Sequence, residues 1–252
     1  MMHVIRRVSA LVLLSAGVAS AQEAAAKPPY EFVGDFSLAA SQGNQEVMTV
    51  SLGQRYSYAF TNWKFSQSAS ALRGTANGLT NAELYQGVVR LDRTLQKRWS
   101  LYVTAGALRN TPAGLTSLFN EGVGVGYQVL DTDTDQLQLS AGIGALQRTF
   151  VGTAPGTSDF VGNLDGLYRR NFSKVAYFEQ TATLTPNFTT TEAWLLTSRS
   201  SLVAPLSARI GIKVSYLVNF NNAPPLDPGT PALTDRFKKF DGLLTTGVQF
   251  TY

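Results

Sequence analysis

The chain has 252 residues, of which 21 are basic and 17 acidic, for a formal net charge of +4, and it contains no cysteine. The missing cysteine excludes disulfides, thiolate nucleophiles and cysteine-ligated metals. The one histidine, His3, lies within a predicted export signal, so the exported chain has no imidazole for Ser-His-Asp catalysis or zinc binding.

The first 21 residues have the pattern of a cleaved export signal. Arg6 and Arg7 form a positive region, residues 8–18 are apolar or small, and Ala19-Ser20-Ala21 fits a small-x-small cleavage site. The apolar run is too short for a membrane helix. We predict a signal peptide over residues 1–21 and a short periplasmic segment over residues 22–29. Loss of the two arginines leaves 19 basic and 17 acidic residues, and no dense basic patch indicates nucleic-acid binding.

Segments that alternate apolar and polar residues recur along the rest of the chain. A period of two is typical of strands whose two faces meet different environments. The sequence predicts twelve such strands, over residues 30–40, 48–60, 63–71, 85–92, 99–105, 119–129, 137–144, 160–172, 175–188, 194–202, 208–218 and 242–252. Many are longer than the five or six residues usual in soluble proteins, and approach the roughly 9–11 that a membrane strand needs. The second face is rich in Gly, Ser, Thr and Gln, which favours a crowded or hydrated lumen over a soluble β-sandwich.

The predicted connections alternate between tight and longer ones. The tight ones are residues 61–62, 92–98, 131–135, 173–174 and 205–207, and the longer ones are 74–80, 109–118, 151–159 and 221–236, with short exceptions at 41–45 and 186–191. Short periplasmic turns, longer extracellular loops and an even strand number are typical of bacterial outer-membrane barrels. The sequence therefore predicts an all-β fold: an up-and-down antiparallel transmembrane β-barrel of twelve strands over residues 30–252, located in the cell outer membrane.

The last predicted strand alternates up to its final residue and carries no charge after Asp241. Val248, Phe250 and Tyr252 share one face, and a terminal aromatic residue suits the girdle at a membrane interface. We predict that this strand closes the barrel, faces outer-membrane lipids and is recognised by the outer-membrane assembly machinery.

Several local motifs follow one another along the chain. They are Gly43-Asn44 in the first loop, Leu91-Asp92-Arg93 followed by Trp99, the strand Glu121-Gly-Val-Gly-Val-Gly-Tyr127, Pro205-Leu-Ser-Ala208 before the eleventh strand, and the aromatic ending. With these motifs the chain resembles the YdiY-like salt-induced outer-membrane proteins, a family of unknown function, over nearly its whole exported length. The resemblance implies an outer-membrane barrel and implies no particular activity.

Charged residues fall on the predicted lumen face, and basic ones outnumber acidic ones. The set is Asp35, Arg55, Lys64, Arg90, Arg148, Asp165, Arg169, Glu179, Arg199, Arg209 and Lys213. If the turn at Pro205 sets the register, Arg199 lies about opposite Lys213 and Glu179 about opposite Arg199. Two interpretations stay open: a basic track in a narrow diffusion channel for small solutes, anions among them, or ion pairs that brace a non-conducting structural barrel.

Two motifs that resemble ligand loops do not indicate a cofactor. Asp131-Thr-Asp-Thr-Asp135 begins like a calcium loop, but Gln136 and Gly142 stand where a glycine and a bidentate glutamate are needed. Gly122-Val-Gly-Val-Gly126 lacks the helix that follows a nucleotide-binding loop. We therefore expect no cofactor, no metal and no enzyme activity.

Overall fold

The computed structural model describes residues 29–41, 47–227 and 235–252, and its secondary structure is almost entirely β. A single 3-10 turn, Thr111–Ala113, stands between two strands. The predicted signal peptide, residues 22–28 and the Gly43-Asn44 motif lie outside the described residues. In the described part of the chain, no helix is long and apolar enough to cross a membrane.

Twelve strands of 9 to 18 residues follow one another around a closed barrel. They are β1 (Tyr30–Ser41), β2 (Val47–Phe60), β3 (Trp63–Ala76), β4 (Leu79–Gln96), β5 (Trp99–Asn110), β6 (Leu115–Asp131), β7 (Asp135–Phe150), β8 (Thr157–Asn171), β9 (Tyr177–Thr185), β10 (Leu195–Pro205), β11 (Ile210–Asn221) and β12 (Phe240–Thr251). Each strand pairs antiparallel with its chain neighbours, and β1 pairs with β12. The predicted twelve-stranded up-and-down barrel is confirmed. We call the end that holds Tyr30 and Tyr252 the periplasmic end.

The outer surface of the barrel is an apolar band between two aromatic girdles. Leu52, Val103, Ile143 and Leu244 represent many apolar side chains that remain exposed there. An apolar surface of this kind suits lipid. Aromatic pairs at the periplasmic end are Tyr30–Tyr252, Tyr58–Phe60, Trp99–Tyr127 and Tyr168–Phe178, and those at the extracellular end are Phe160–Phe188 and Trp194–Phe220.

One predicted extracellular loop is a tight turn. The sequence predicts a loop over residues 74–80, but β3 and β4 continue until only Asn77 and Gly78 remain between them. These two residues have φ of 50° and 79°. Positive φ at both central positions is what a two-residue hairpin with the right twist requires, and Asn-Gly is its usual sequence.

The register of β10 also differs from the predicted one. Arg199 lies opposite Leu217 of β11 rather than opposite Lys213, and opposite Thr181 of β9 rather than Glu179. The turn between β10 and β11 is longer than predicted, so β11 is displaced by four positions. The displacement prevents two like charges from standing directly opposite each other, which would destabilise the pair of strands.

Glycines on the lumen face of β6 and β7 make room for a tyrosine from β5. A Cβ on Gly124 would lie 2.7 Å from Tyr102 Cζ and 2.7 Å from Gly142 Cα. Tyr102 therefore packs against the wall where these side chains are missing, and it is only 3% exposed. Close approach of a side chain to the backbone explains the Gly-Val-Gly-Val-Gly pattern without a bound nucleotide.

The seam that closes the barrel is short. Residues 33–36 of β1 pair with residues 248–251 of β12 at four positions, whereas β1 and β2 pair at twelve. Reciprocal backbone hydrogen bonds between Phe32 and Tyr252 add one more pair at the periplasmic end. The strongly paired part of the seam thus lies in the periplasmic half of the barrel.

We predict that Gly124→Ala destabilises the barrel by about 1–3 kcal/mol, because the new methyl group overlaps Tyr102 and the neighbouring strand. Urea unfolding of protein refolded into lipid vesicles, followed by tryptophan fluorescence, measures the effect. Gly87→Ala is the matched control, since its Cβ would lie 4.0 Å from the nearest atom, Ser68 O. Equal unfolding midpoints for the two variants would contradict the packing role of Gly124.

Candidate functional site in the lumen

Most of the charged residues predicted to face the lumen line two internal cavities. Seven of these eleven residues are Asp35, Arg55, Asp165, Arg169, Glu179, Arg199 and Lys213. Lys64 and Arg90 line the larger cavity as well. Arg148 and Arg209 occupy other places, described below.

The larger cavity is a polar vestibule of about 620 Å³ at the periplasmic end. Its wall includes residues next to the periplasmic turns, such as Thr94 and Gln136, and it extends inward as far as Arg55 and Glu179. Carboxylates, guanidinium groups, amides and hydroxyls all contribute to this wall. Such a surface suits water and small polar solutes.

An ion pair crosses the lumen at the inner end of the vestibule. Arg55 Nη1 of β2 donates a hydrogen bond to Glu179 Oε1 of β9 at 2.9 Å. Four strands separate β2 from β9 along the shorter path around the wall, so the pair spans the interior. Arg169 adds a second cation, with its Nη1 3.8 Å from Glu179 Oε2. We call the contact between Arg55 and Glu179 the bridge.

The smaller cavity, which we call the upper pocket, lies beyond the bridge and has a volume of about 80 Å³. Its charged wall residues are Asp35, Arg199 and Lys213. Lys213 Nζ donates to Asp35 Oδ1 from two strands away. Asp35 in turn lies against Gly53 of β2, where a Cβ would overlap its carboxylate. The lysine is therefore neutralised within the wall, and the pocket keeps the positive charge of Arg199.

An apolar layer lies beyond the charges. Leu72, Leu84 and Leu217 point inward from β3, β4 and β11 and are 5%, 8% and 7% exposed. Ala82, Leu108 and Leu243 pack against them. We call these six residues the leucine layer. The leucines come from β3 to β5 on one side and from β11 and β12 on the other, and they form an apolar constriction, a structure that excludes water when it is tight.

Two residues that flank β11 and β12, Pro225 and Phe237, lie across the extracellular mouth. A Cβ on Gly114, after the 3-10 turn, would lie 2.6 Å from Phe237 Cδ2 and 2.8 Å from Pro225 Cγ. The β11–β12 hairpin and the β5–β6 hairpin stand on opposite sides of the barrel, four strands apart in both directions. A contact between them therefore lies across the mouth, outside the leucine layer.

A stacked arginine lies against the wall formed by β4 to β7. The Arg90 guanidinium lies 3.8 Å from the centroid of the Tyr102 ring and donates to Asp92 Oδ1 at 2.8 Å. Its Nη2 also donates to Ser140 Oγ of β7 at 3.3 Å, across β5 and β6. The cation is neutralised by its own strand and held by the aromatic face, which fixes this side chain against the wall.

Arg148 forms a buried ion pair at the extracellular rim of the barrel. Its Nη2 donates to Asp159 Oδ2 at 2.8 Å, and both side chains are 4% exposed. Arg148 Nε donates to Thr157 Oγ1 at 3.2 Å. This pair ties β7 to β8 where their connection leaves the barrel, and neither residue lines either of the two cavities.

The sequence predicts that Arg209 faces the lumen, but the structure places it outside the lumen. It lies in the exposed turn before β11, and its guanidinium is 5.4 Å from the centroid of the Tyr252 ring. Its carbonyl accepts a hydrogen bond from Thr251 N–H. The residue therefore belongs to the periplasmic girdle, because the strand that would carry its alternation begins only at Ile210.

The closing strand presents its aromatic face outward. Phe250 and Tyr252 are exposed on the outer surface, and Tyr252 stacks on Tyr30 with centroids 6.3 Å apart. Val248 pairs with Phe36 of β1 at the upper limit of the seam. Recognition of this strand by the assembly machinery stays a prediction.

The aspartate-rich segment before β7 is a hydrogen-bonded turn. Thr132 Oγ1 accepts from Asp135 N–H at 2.9 Å, and Thr132 N–H donates to Asp135 O at 3.0 Å. Asp135 also accepts from Tyr168 Oη at 2.7 Å. Over the residues that the structure describes, no group of three or more Asp, Glu, His or Cys could hold a metal ion.

Sequence reasoning missed the leucine layer and the place of Tyr102. A signal for the layer was present, since Leu72 and Leu84 continue the polar face of β3 and β4 near their extracellular ends. No comparable signal pointed to the seam. The number of paired positions between the first and the last strand depends on barrel closure, which a local pattern does not encode.

A closed antiparallel barrel with an apolar outer band, aromatic girdles and a polar lumen defines the class of outer-membrane β-barrel proteins. The chain belongs to the family described as "Protein of unknown function, DUF481", whose model matches residues 34–252. No named homologue supports the narrower YdiY-like resemblance, which stays a prediction. A search of curated proteins finds no sequence match.

Solved structures of similar fold are outer-membrane barrels. The NanC porin superimposes with a TM-score of 0.51 at 13% identity, over 87% of this chain and 98% of that chain. The translocator domain of autotransporter NalP from Neisseria meningitidis gives 0.48 at 11% identity, over 91% and 90%. The anion-selective porin from Comamonas acidovorans gives 0.43 at 8% identity, over 88% and 98%. At these identities the likeness concerns the fold alone.

We predict that Asp159→Asn destabilises the barrel by about 3–5 kcal/mol, because it leaves the buried Arg148 charge without its partner. Glu83→Gln, which breaks the more exposed 2.9 Å pair with Arg109, should cost no more than about 1 kcal/mol. Urea unfolding of both variants in lipid vesicles gives the comparison. A smaller loss for Asp159→Asn than for Glu83→Gln would show that Arg148 finds another partner.

Proposed function

We propose that this protein is a narrow outer-membrane channel for small solutes that favours anions, exported by its predicted signal peptide and closed in the conformation described here. The observation that carries the proposal is the bridge. Arg55 and Glu179 line the vestibule, and the upper pocket lies immediately beyond them. One ion pair thus separates the polar vestibule from the upper pocket within one lumen. Movement of two side chains is enough to break this contact, whereas a lumen closed by a folded plug domain opens only when the whole domain moves.

The charge of the lumen supports a preference for anions. Basic residues outnumber acidic ones along the two cavities. The basic residues are Arg55, Lys64, Arg90, Lys97, Arg98, Arg169, Arg199 and Lys213, and the acidic ones are Glu31, Asp35, Asp92, Asp131, Asp165 and Glu179. Rings or tracks of charge in a narrow pore select ions of the opposite sign. Because most acids here are paired with neighbouring bases, the expected preference is weak.

A non-conducting structural barrel is the second candidate. The leucine layer and the contact of Phe237 and Pro225 with Gly114 favour it, since both obstruct the extracellular half of the lumen. Planar-bilayer recordings of the folded protein distinguish the two candidates. Small steps of current with weak anion selectivity support the channel. Absence of current from both the wild type and the variants described below would refute it and leave the structural barrel.

We predict that Glu179→Gln and Arg55→Gln both raise single-channel conductance, because each removes the bridge. Their selectivities should change in opposite directions. Glu179→Gln leaves Arg55 and Arg169 without their carboxylate and increases anion preference, whereas Arg55→Gln decreases it. Glu83→Gln, on the outer surface, should leave conductance and selectivity unchanged. Identical reversal potentials for the two bridge variants in a salt gradient would contradict the assigned position of the pair in the ion path.

We predict that Leu217→Ser increases conductance, because a hydroxyl in the leucine layer favours water in the constriction. Leu206→Ser, in the exposed turn after β10, is the control and should conduct like the wild type. Folding of both variants is checked by the slower migration of unboiled protein in detergent gels. Equal conductance of folded Leu217→Ser and wild type would show that the leucine layer does not limit the current.

A further inference from the structure

The wall of the upper pocket holds one cation that no acid engages directly. Lys213 Nζ donates to Asp35 Oδ1, and Arg55 Nη1 donates to Glu179 Oε1 at 2.9 Å. Each of these acids is therefore occupied by another base. Among the residues that the structure describes, the Arg199 guanidinium makes no hydrogen bond or ion pair, and it interacts with Asp35 and Glu179 only at longer range. The group as a whole keeps one uncompensated positive charge.

An uncompensated charge in the interior of a membrane barrel is unfavourable. Arg199 lies near the middle of β10, and the residues opposite it on the neighbouring strands are Leu217 and Thr181, which supply no carboxylate. Water in the pocket offsets part of the cost. An anion offsets more of it, because the attraction between opposite charges is stronger where bulk water is scarce.

Most of the polar wall around Arg199 consists of hydrogen-bond donors. Hydroxyls of Ser51, Ser70 and Ser215 line the pocket from β2, β3 and β11. Each hydroxyl can donate one hydrogen bond, and a guanidinium group can donate five. In the described part of the chain, Asp35 supplies the one carboxylate of this wall, and Lys213 already occupies it. The free polar groups thus suit a ligand that accepts hydrogen bonds.

The volume of the upper pocket limits the size of the ligand. One ordered water needs roughly 10–15 Å³ of such space, and the pocket offers about 80 Å³. An anion of one to four atoms therefore fits together with a few waters, and a longer organic acid does not. Leu72, Leu84 and Leu217 close the pocket on one side. They offer a small anion no contacts of their own, but they reduce the water around Arg199 and so strengthen its attraction for the anion.

The surplus of a single charge favours a monovalent anion. One negative charge in the pocket neutralises Arg199. A second one would have no cation to meet and would be repelled by Asp35 and Glu179, which act on the same guanidinium. Chloride, bromide and nitrate fulfil the conditions of charge and size, whereas sulfate carries one charge too many.

We propose that the upper pocket is a binding site for one small monovalent inorganic anion, such as chloride, which Arg199 and the neighbouring serine hydroxyls hold. The anion reaches the pocket from the vestibule when the bridge opens. The inference deepens the proposed function and rests on it for this path. A bound anion would lie between the bridge and the leucine layer, so the anion preference of the lumen would be set mainly here.

Binding is tested by the broadening of the chloride NMR signal on the folded barrel in neutral detergent. Gluconate keeps the ionic strength constant, since it is too large for the pocket. We expect broadening that saturates with chloride and that bromide or nitrate reverses. Sulfate at the same ionic strength should not reverse it. Broadening that does not saturate, or that sulfate reverses as well as bromide does, would overturn the proposal.

Arg199→Gln should weaken chloride binding at least about tenfold, because it removes a charge-assisted hydrogen bond to the anion. Arg73→Gln is the matched control. Arg73 is an exposed arginine of β3 opposite Glu83, and it lines neither cavity. Its replacement should leave the affinity for chloride unchanged. An unchanged affinity in Arg199→Gln, or an equal loss in the two variants, would refute the assignment to Arg199.

A carboxylate built into the pocket should replace the anion. Ser51→Asp adds a negative charge to the wall that Arg199 shares, so we expect chloride binding to fall at least about tenfold. Ser51→Asn has nearly the same size as Ser51→Asp without the charge, and it should change the affinity by less than about threefold. Slower migration of unboiled protein in detergent gels confirms that both variants are folded. Equal affinities of the two folded variants would overturn the location in the upper pocket.

The outcomes for the site and for the channel are separate. Saturable chloride binding that Arg199→Gln removes, from a barrel that carries no current in planar bilayers, would refute the channel and leave the site. Current from a barrel without saturable chloride binding would refute the site and leave the channel.

Discussion

The whole structure depends on the need to satisfy backbone hydrogen bonds without water. In hydrocarbon, strands remain stable only when every strand has two paired neighbours, so the twelve segments must close on themselves. Closure then divides each strand into a lipid face and a lumen face. Apolar residues such as Leu52 and Val103 are exposed outside, and charges such as Arg55 and Glu179 are placed inside. A soluble barrel has the reverse arrangement, with apolar residues inside. The arrangement seen here thus follows from the lipid that surrounds the barrel.

Twelve strands enclose more space than side chains from a single layer fill, and this protein fills the space unevenly. In the middle of β6 and β7 the lumen face carries only glycines, and Tyr102 and Arg90 cover it. On the opposite side, long charged residues reach across, as Arg55 does to Glu179. The extracellular half is filled by leucines instead. The lumen therefore changes along its axis from a wet vestibule to an ionic contact and then to an apolar constriction.

The sequence predicts the strands well because alternation is local and each strand must obey it over its membrane-spanning length. The same local rule does not predict the Asn77-Gly78 turn, because β3 and β4 continue beyond the residues in which the alternation is clear. It also fails for the partner of Arg199, because register depends on the length of the turn after Pro205. Contacts across the lumen, such as that between Arg55 and Glu179, join residues 124 positions apart. Alternation places each of these residues on the correct face and says nothing about which residues meet.

The constraint that builds the barrel also identifies its weakest side. The β1–β12 seam joins the first strand to the last, so no short turn holds the two strands together. Its formation therefore carries the entropic cost of closing the longest loop in the barrel. In this barrel the register pairs of the seam lie in its periplasmic half and end at Phe36, beside the upper pocket. The positive charge of Arg199 lies in that same pocket. The least paired part of the wall therefore adjoins a lumen charge that makes no ion pair among the described residues, so the closure of the barrel and the electrostatics of its lumen meet at one place.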